Sequence, residues 1–343
     1  MSVMFYLGVD VSKKTLSVYL KDTRKDNAVW TNKSVSNDEK GFAVIADTVI
    51  KKISKVCTEP FTVAIGMEST GVYGERLAYY FHKHISENFT VYVLNPMAVH
   101  SFAKSSMTKN KNDAVDAQVI ASYMSMAIPG KIVSPWIAPS EDEVILNALS
   151  KRREELVGMR TEEQNRLEKQ ESKANASNDV VGSVQRSIEY LDDEITRIEK
   201  GIRDHVDKNP GMKNDLDLMR SIPGIGEVTS VVIESETGGL SNFSSTRQLT
   251  AYVGLSPVEH TSGTSVYKRS HISKRGNARI RHVLYMCAMV AVRVNPMIRS
   301  FYERLVARGK SKKLAIVACM RKLLHILWSV IKHNRKFDPA YAK

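Results

Sequence analysis

Two acidic residues early in the chain have a spacing that could support metal chemistry. Asp113 and Asp116, in the stretch KNDAVDA, are three positions apart, so on a helix their side chains would be neighbours. Two carboxylates held close together repel each other unless a positive charge lies between them. The pair is therefore either a solvated helix start, balanced by the lysines just before it, or one half of a metal site.

Two more carboxylates stand where predicted strands end. Asp10 closes the first apolar stretch, and Glu68 ends the stretch FTVAIGME. Functional groups collect at the carboxyl ends of strands in α/β sheets, and carboxylate oxygens are ligands that Mg²⁺ accepts. A pair of such ions about 3.5–4 Å apart can stabilise the attacking and leaving oxygens of phosphoryl transfer. Spacing alone leaves two interpretations open. Asp10, Glu68, Asp113 and Asp116 would together bind Mg²⁺ at one edge of the sheet, with Lys13, Lys109 and Lys111 contacting a phosphate backbone; an ordinary turn residue at each strand end and a solvated helix start are the alternative.

These positions need a scaffold, and the N-terminal pattern predicts an α/β domain over residues 1–130. Apolar, β-prone runs at 4–11 and 15–20 are joined tightly, and NAVWTNKSVS reads as a third strand. The next stretch has helical spacing, with Asn37 as its expected cap. Strand and helix patterns then alternate, which is typical of a sheet covered by helices.

A different composition follows, over residues 131–208. Three prolines in PGKIVSPWIAPSED predict a linker. Beyond it, apolar residues recur at alternating spacings of four and three, which predicts an α-helical coiled-coil segment; they are Val184, Ile188, Leu191, Ile195, Ile198 and Ile202. The stretch SKANASND should separate two helices. Either a dimerisation arm or a helical hairpin within one chain would satisfy this pattern.

Charge points to a polyanionic partner. The chain carries a formal net charge of +13, and residues 258–343 alone hold 19 Lys or Arg against three Asp or Glu. That surplus favours nucleic acid as the partner, although a solvated basic face would look the same. The three cysteines form no metal-binding or disulfide pattern. With no signal sequence and no run of about 20 apolar residues, we expect a cytoplasmic protein without membrane contact.

The predicted C-terminal domain, residues 209–343 and mainly α-helical, holds two further motifs. SIPGIG, with Gly224 and Gly226, resembles a helix-hairpin-helix turn that presents backbone N–H groups to a phosphate; a simple tight turn is the alternative. Residues 258–276 are polar, and their composition predicts a flexible loop that contacts phosphates. Nothing in its spacing selects a nucleophile. Its cations are Lys268, Arg269, Lys274 and Arg275.

Two ordered sets of motifs resemble one family. GVDVSK, MESTGVY, LNP and KNDAVDA are similar to the N-terminal domain of the DEDD insertion-sequence transposases, the IS-one-ten family. GLSP, TSGTSV, SKRGNARIRHVLYMCAMVA and ACMRKL are similar to its C-terminal transposase domain. The resemblance implies a ribonuclease-H/RuvC-like mixed sheet flanked by helices, with Asp10, Glu68, Asp113 and Asp116 as the four DEDD carboxylates.

The same resemblance implies chemistry and partners. Ser262, the serine before glycine in TSGTSV, would be the nucleophile of Mg²⁺-dependent DNA cleavage and exchange through a covalent phosphoserine. Donor and target DNA, a non-coding bridge RNA, and a dimer to tetramer of this chain are the implied partners. Two other functions fit the residues: a metal-dependent, junction-resolvase-like nuclease in which Ser262 has no role, and a nucleic-acid-binding architectural protein.

Overall fold

The computed structural model divides the chain into two compact units, Met1–Ala138 and Pro139–Lys343. The structure describes residues 2–25, 28–69, 71–84, 88–106, 113–262 and 266–341, without the side chains of 84, 113–114, 259–262, 266–270 and 341. The three-part division predicted from the sequence, with boundaries at 130 and 208, stays a prediction.

The described residues of the first unit form five strands and four helices. The strands are β1 (Val3–Val11), β2 (Thr15–Asp22), β3 (Ala28–Ser36), β4 (Phe61–Glu68) and β5 (Phe89–Leu94). The helices are α1 (Glu39–Ser54), α2 (Val72–His84), α3 (Pro96–Ser105) and α4 (Asp113–Ala127). Their order in the sheet is β3-β2-β1-β4-β5, with β1 antiparallel to β2 and parallel to β4. The predicted mixed sheet with flanking helices is confirmed.

Both faces of the central strand β1 are covered. Phe5, Leu7 and Val9 belong to a buried cluster that includes residues of α1 and α2. Tyr6, on the opposite face, packs in a cluster with residues of α4. Side chains alternate between the two faces of a strand, so β1 is apolar at nearly every position because it is buried from both sides.

The start of α1 corrects one sequence-based prediction. Asp38, and not Asn37, caps the helix, because its side chain accepts a hydrogen bond of 2.8 Å from the backbone N–H of Gly41. A carboxylate at this position satisfies an unpaired N–H group and suits the positive end of the helix. Asn37 is thereby free of the capping role and makes different contacts, described below.

The predicted proline-rich linker is partly packed against the first unit. Trp136 donates its backbone N–H to the carbonyl of Val91 in β5 at 2.7 Å. Its ring also lies edge-on to Tyr79, with 5.2 Å between ring centroids. An aromatic side chain buries a large apolar area, so Trp136 anchors the chain to the sheet before the second unit begins.

A long helical hairpin begins the second unit. It consists of α5 (Glu141–Glu171) and α6 (Asn178–Lys208), and a Ser140–Glu143 capping box starts α5. The apolar seam of α6 faces α5 of the same chain: Leu191 and Ile195 are buried with Leu156. A coiled-coil dimerisation arm is therefore not confirmed, since this seam is already used within the hairpin.

The remaining elements surround one core. They are α7 (Pro210–Arg220), α8 (Glu227–Thr237), α9 (Thr246–Val253), β6 (Pro257–Ser262), β7 (Val266–Ile272), α10 (Ala278–Val294), α11 (Pro296–Ala307) and α12 (Lys312–Lys332). Helix α12 is long and apolar enough to cross a membrane by length and composition alone. Leu323, Leu324 and Leu327 of this helix are fully buried in the core.

Candidate active site

Two parallel strands end in the same short pattern, a glycine two positions before an acid. β1 contains Gly8 and Asp10, and β4 contains Gly66 and Glu68. Gly8 pairs with Gly66 in the parallel register, so the two acids stand side by side at the carboxyl edge of the sheet. Both acids are half-buried. Alternation along a strand places each acid on the same face as its glycine.

Helix α4 covers that face at very close range. A Cβ atom added to Gly8 would lie 2.1 Å from the carbonyl oxygen of Ala117 and 2.6 Å from the backbone nitrogen of Ala121. At Gly66 it would lie 2.2 Å from the Sδ atom of Met124. Only glycine allows the backbone of α4 to approach the sheet this closely.

The direction of α4 brings its start to the carboxylate edge. Ala117 contacts β1 at Gly8, whereas Ser122 accepts a hydrogen bond of 3.4 Å from Lys21, which pairs with Tyr6 further back along β1. Both contacts indicate that α4 runs antiparallel to β1. The first residues of α4 therefore lie toward the end of β1 that carries the acid.

Helix and strand spacings agree on this level. Asp113 precedes Ala117 by four residues, which is about 6 Å along a helix, and Asp10 follows Gly8 by two residues, about 6.6 Å along a strand. The backbone of Asp113 is thus level with Asp10. Asp116, half-buried, lies within the first turn of α4. The side chain of Asp113 is outside the described part of the structure.

The donor set at this edge suits a hard cation. Asp10, Glu68 and Asp116 would offer only carboxylate oxygens, the ligand type that Mg²⁺ prefers together with water and phosphate. Among the side chains that the structure describes, no three His, Cys, Asp or Glu residues form a complete metal-binding group. Because the Asp113 side chain is not among them, the fit rests on the chemistry of the donors and on the close packing of α4.

Asn37 ties together the segments that follow Asp10 and Glu68. Its side-chain N–H₂ donates to the carbonyl of Ser12 at 2.9 Å and to that of Tyr73 at 3.1 Å. Ser12 lies in the turn after β1, and Tyr73 lies in the first turn of α2, which follows β4. One amide therefore fixes the spacing of the two chain segments that leave the carboxylate edge.

Of the three lysines predicted to contact phosphate, the structure describes one. Lys13 is exposed in the β1–β2 turn, three residues after Asp10. Lys109 and Lys111 lie outside the described residues. The contacts predicted for all three stay predictions.

The predicted serine loop is a β-hairpin in its described part. Ser262 is the last residue of β6, where it pairs with Val266 of β7. The expectation of a flexible loop was wrong for these residues, because antiparallel pairing satisfies the backbone N–H and C=O groups of both segments. The side chain of Ser262 is not described, and neither are those of Lys268 and Arg269 on β7; Lys274 and Arg275 follow β7 and are exposed.

Two glycines and one arginine fix the base of this hairpin. Gly254 has a φ of 76° and Gly276 a φ of 146°, values that side chains disfavour. A Cβ on Gly276 would lie 2.2 Å from the carbonyl oxygen of Tyr252. Arg281 donates to the carbonyls of Val253 at 2.8 Å and Gly276 at 3.0 Å. The segments before β6 and after β7 are therefore held together.

Glu236 of α8 connects the hairpin base to its surroundings. Its side chain accepts hydrogen bonds from Asn277 and Arg279, and its backbone carbonyl accepts one from the Tyr252 hydroxyl at 2.6 Å. Arg279 also pairs with Glu154 of α5 at 2.6 Å. Burial acts to raise the pKa of Glu236, but the hydrogen bonds from Asn277 and Arg279 outweigh it, and the pKa is lowered.

A second acid on α8 has a buried side chain and a raised pKa. Glu234 is 6% exposed, and its Oε2 atom has no hydrogen-bond partner within the described structure. Burial, followed by the negative charges of Asp215 and Glu143, raises the pKa of Glu234 to about 8. A carboxyl group in such surroundings stays protonated at neutral pH.

The glycine turn between α7 and α8 has a clear packing role. Gly224 has a φ of 102°, and a Cβ there would lie 2.8 Å from the Cβ of Ala291 on α10. Gly226 precedes α8 with open space around it and no side-chain cap. Glu227 places a negative charge in the first turn of α8. The phosphate contact predicted for Gly224 and Gly226 stays a prediction.

Sequence reasoning missed the residues that position the site. Gly8 and Gly66 carried a usable signal, the same glycine-x-acid spacing at two strand ends. Asn37 drew attention only as a helix cap, and Glu236 carried no local signal at all. Their roles depend on contacts between segments distant in the sequence.

Comparisons with known proteins agree along most of the chain. Residues 7–170 match the DEDD transposase family and residues 216–303 match the transposase IS116/IS110/IS902 family. The pilin gene-inverting protein of Moraxella bovis is 32% identical over 335 residues, covering 97% of each chain. The transposase for insertion sequence element IS1111A of Coxiella burnetii is 26% identical and covers 71% of this chain and 72% of its own.

One solved structure, T. thermophilus RuvC in complex with Holliday junction substrate, also matches. It covers 39% of this chain and 99% of its own, with 15% sequence identity and a TM-score of 0.29. At that score the match adds nothing to what the sheet order gives directly.

Proposed function

Because this chain belongs to the IS116/IS110/IS902 family of DEDD transposases, we propose that it cleaves and exchanges DNA strands with Mg²⁺ and a serine nucleophile. The observation that carries the proposal is the carboxylate edge, where Asp10 and Glu68 stand on adjacent parallel strands. Helix α4 would contribute Asp113 and Asp116 from its first turn. These four residues would hold Mg²⁺, which supplies positive charge at the reacting phosphate.

Ser262 would carry the covalent step. Its hydroxyl oxygen attacks the phosphorus of a phosphodiester, a bond from serine oxygen to phosphorus forms, and the bond from phosphorus to the 3′ oxygen breaks. The serine proton goes to a base and the departing 3′ oxygen takes up a proton. The bond energy is kept in the phosphoserine link, so a second strand can be joined without a high-energy cofactor.

Cations beside Ser262 would stabilise the charge that develops on the phosphate. Lys274 and Arg275 are exposed directly after β7, and Lys268 and Arg269 lie on that strand. The strand pairing and the fixed base hold Ser262 at the far end of the hairpin from Pro257. Such a position suits a nucleophile that must reach a phosphodiester.

The proposed reaction needs the carboxylates and Ser262 in one composite site. The two groups belong to different compact units, so the site would form either within one chain or between chains of a dimer or tetramer. A bridge RNA that pairs with donor and target DNA would supply sequence recognition. The net charge of +13 supports a nucleic-acid partner of either kind.

One experiment separates this function from the two alternatives. Wild-type protein, Ser262→Ala and Asp10→Ala are incubated with the element's DNA, Mg²⁺ and the RNA that co-purifies, and a denaturation-resistant protein–DNA adduct is sought. A recombinase forms the adduct only with Ser262 present and loses strand exchange in both variants. Cleavage by Ser262→Ala without any adduct would show a nuclease, and binding without cleavage would show an architectural protein.

Mixing the two variants locates the composite site. If carboxylates and serine come from different chains, mixed oligomers of Asp10→Ala and Ser262→Ala contain one complete site and regain activity. If both come from one chain, every site in the mixture has a defect, and the mixture stays inactive.

A further inference from the structure

The end of α10, helices α11 and α12, and the segment after them carry positive charge that the proposed active site does not use. Residues 293–336 contain twelve Lys or Arg and a single acidic residue, Glu303. All twelve cations are exposed except Lys322, which is half-buried. Like charges repel one another, so this density destabilises the free protein unless a polyanion binds.

Acidic partners for these cations are scarce within the described part of the chain. Apart from Arg335, none of them forms an ion pair with any residue that the structure describes. The α5–α6 hairpin differs, because five of its arginines pair with nearby carboxylates: Arg152, Arg153, Arg160, Arg166 and Arg197. The same unit thus contains a neutralised helical surface and an unneutralised one.

Two cations of this surface share one aromatic ring. The Cζ atom of Arg304 lies 5.4 Å from the centre of the Phe301 ring, and the Nζ atom of Lys322 lies 4.9 Å from it. Burial, followed by the charge of Arg304, lowers the pKa of Lys322. The ring attracts each cation, but it cannot cancel the repulsion between the two positive charges as an anion would.

Phe301 and Arg304 lie on one face of α11, because they are three residues apart. Arg308, the residue that caps the end of this helix, follows Arg304 by four positions. Lys322 joins that face from α12. Guanidinium and ammonium groups side by side suit phosphate oxygens, which arginine contacts through two parallel hydrogen bonds. A row of cations along one helix also suits the regular charge spacing of a nucleic-acid backbone.

We infer that this surface, defined by Phe301, Arg304, Arg308 and Lys322 and called the α11–α12 surface, binds a nucleic-acid phosphodiester backbone. It consists of residues other than the cations of the β6–β7 hairpin, and we propose that it contributes affinity without touching the reacting phosphate. The inference rests on the proposed nucleic-acid substrate but does not require serine chemistry. Duplex DNA and structured RNA present the same phosphodiester groups, so each is a source of the ligand.

The test is the salt dependence of binding by the full chain. Affinities of wild type and of Arg304→Gln/Lys322→Gln are measured by fluorescence anisotropy between 50 and 200 mM salt, on duplex DNA and on the co-purified RNA. Each lost phosphate contact reduces the slope of log affinity against log salt by about 0.9 on duplex DNA. We expect the double variant to lose about 1.8 from the slope.

Two matched variants make the result specific. Lys169→Gln/Lys200→Gln removes the same charge from exposed positions on the α5–α6 hairpin and should leave the slope nearly unchanged. Arg304→Lys/Lys322→Arg keeps the charge and should retain most of the wild-type slope. Thermal unfolding of each variant checks that the fold is retained.

The outcomes separate this inference from the proposed function. A reduced slope on DNA alone, on RNA alone or on both supports it and identifies the ligand source. A slope reduced equally by both Gln double variants, or by neither, overturns the α11–α12 surface while DNA cleavage by wild type still supports the proposed function. Adduct formation lost through Ser262→Ala bears only on the chemistry, since that variant should keep the wild-type slope.

Discussion

Replacing Gly8 with alanine should separate α4 from the sheet and disable the carboxylate edge. The added Cβ would lie 2.1 Å from the carbonyl oxygen of Ala117, where an ordinary contact needs about 3.4 Å. The helix must therefore move by about 1.3 Å, because the obstacle is backbone and not a flexible side chain. Misplacing reacting groups by about 1 Å costs on the order of 100-fold in rate.

The assay is Mg²⁺-dependent strand cleavage, followed with thermal unfolding of the same samples. We expect Gly8→Ala to lose roughly 100-fold in cleavage rate and about 1–3 kcal/mol in stability from overpacking. Gly66→Ala should lose less, since its added Cβ meets the flexible end of Met124. Gly74→Ala is the matched control, because its Cβ would make an ordinary contact of 3.5 Å with Met67.

A Gly8→Ala protein with wild-type cleavage rate and wild-type Mg²⁺ requirement would refute the argument that α4 positions two of the carboxylates. If Gly8→Ala does not fold, the graded loss expected at Gly66 still tests it. Equal activity of the Gly66 and Gly74 variants would then count against the proposed geometry.

Three further substitutions follow from the described contacts. Asn37→Ala removes two hydrogen bonds that join the segments after β1 and β4, so it should cost roughly 1–3 kcal/mol in urea unfolding and raise the Mg²⁺ concentration needed for cleavage. Glu236→Gln weakens charge-assisted bonds to Asn277 and Arg279 and should cost about 2–3 kcal/mol. The folded pKa of Glu234 is about 8 against an ordinary 4.5, so the folded chain keeps a proton that the unfolded chain has lost. The free energy of unfolding should therefore fall by about 1.4 kcal/mol per pH unit between pH 4.5 and about 8, and it should level off at higher pH. The Glu234→Gln variant should not show this fall.

Each of these has its own check. Asn32→Ala, on the exposed strand β3, should leave the Mg²⁺ requirement unchanged; a similar shift in both Asn variants would remove the positioning role of Asn37. If Glu236 and Arg279 act together, Glu236→Gln and Arg279→Gln should lower the free energy of unfolding by similar amounts. Parallel pH profiles of wild type and Glu234→Gln would contradict the buried-carboxyl interpretation.

Local sequence determined much of the first unit. Alternation and apolar runs located β1, β2 and β4 to within two residues of their ends, because a strand buried on both faces must be apolar nearly throughout. The acids at the ends of β1 and β4 stood out for the same reason, since each interrupts an apolar run. The apolar spacing in α6 correctly indicated a helix, but spacing alone does not say whether the partner helix belongs to the same chain.

Tertiary structure decided how those residues are arranged. Gly8 and Gly66 matter because α4 packs against them, with contacting residues that follow Gly8 by more than a hundred positions and Gly66 by more than fifty. Asn37 matters because its amide donates to two carbonyls on separate segments. The composition of the segment with Ser262 predicted a loop, whereas the structure pairs this segment as a strand. Polar residues are compatible with both forms. Residue type fixes which chemistry is available and local pattern fixes the elements, but the distance between two groups depends on contacts that no local pattern records.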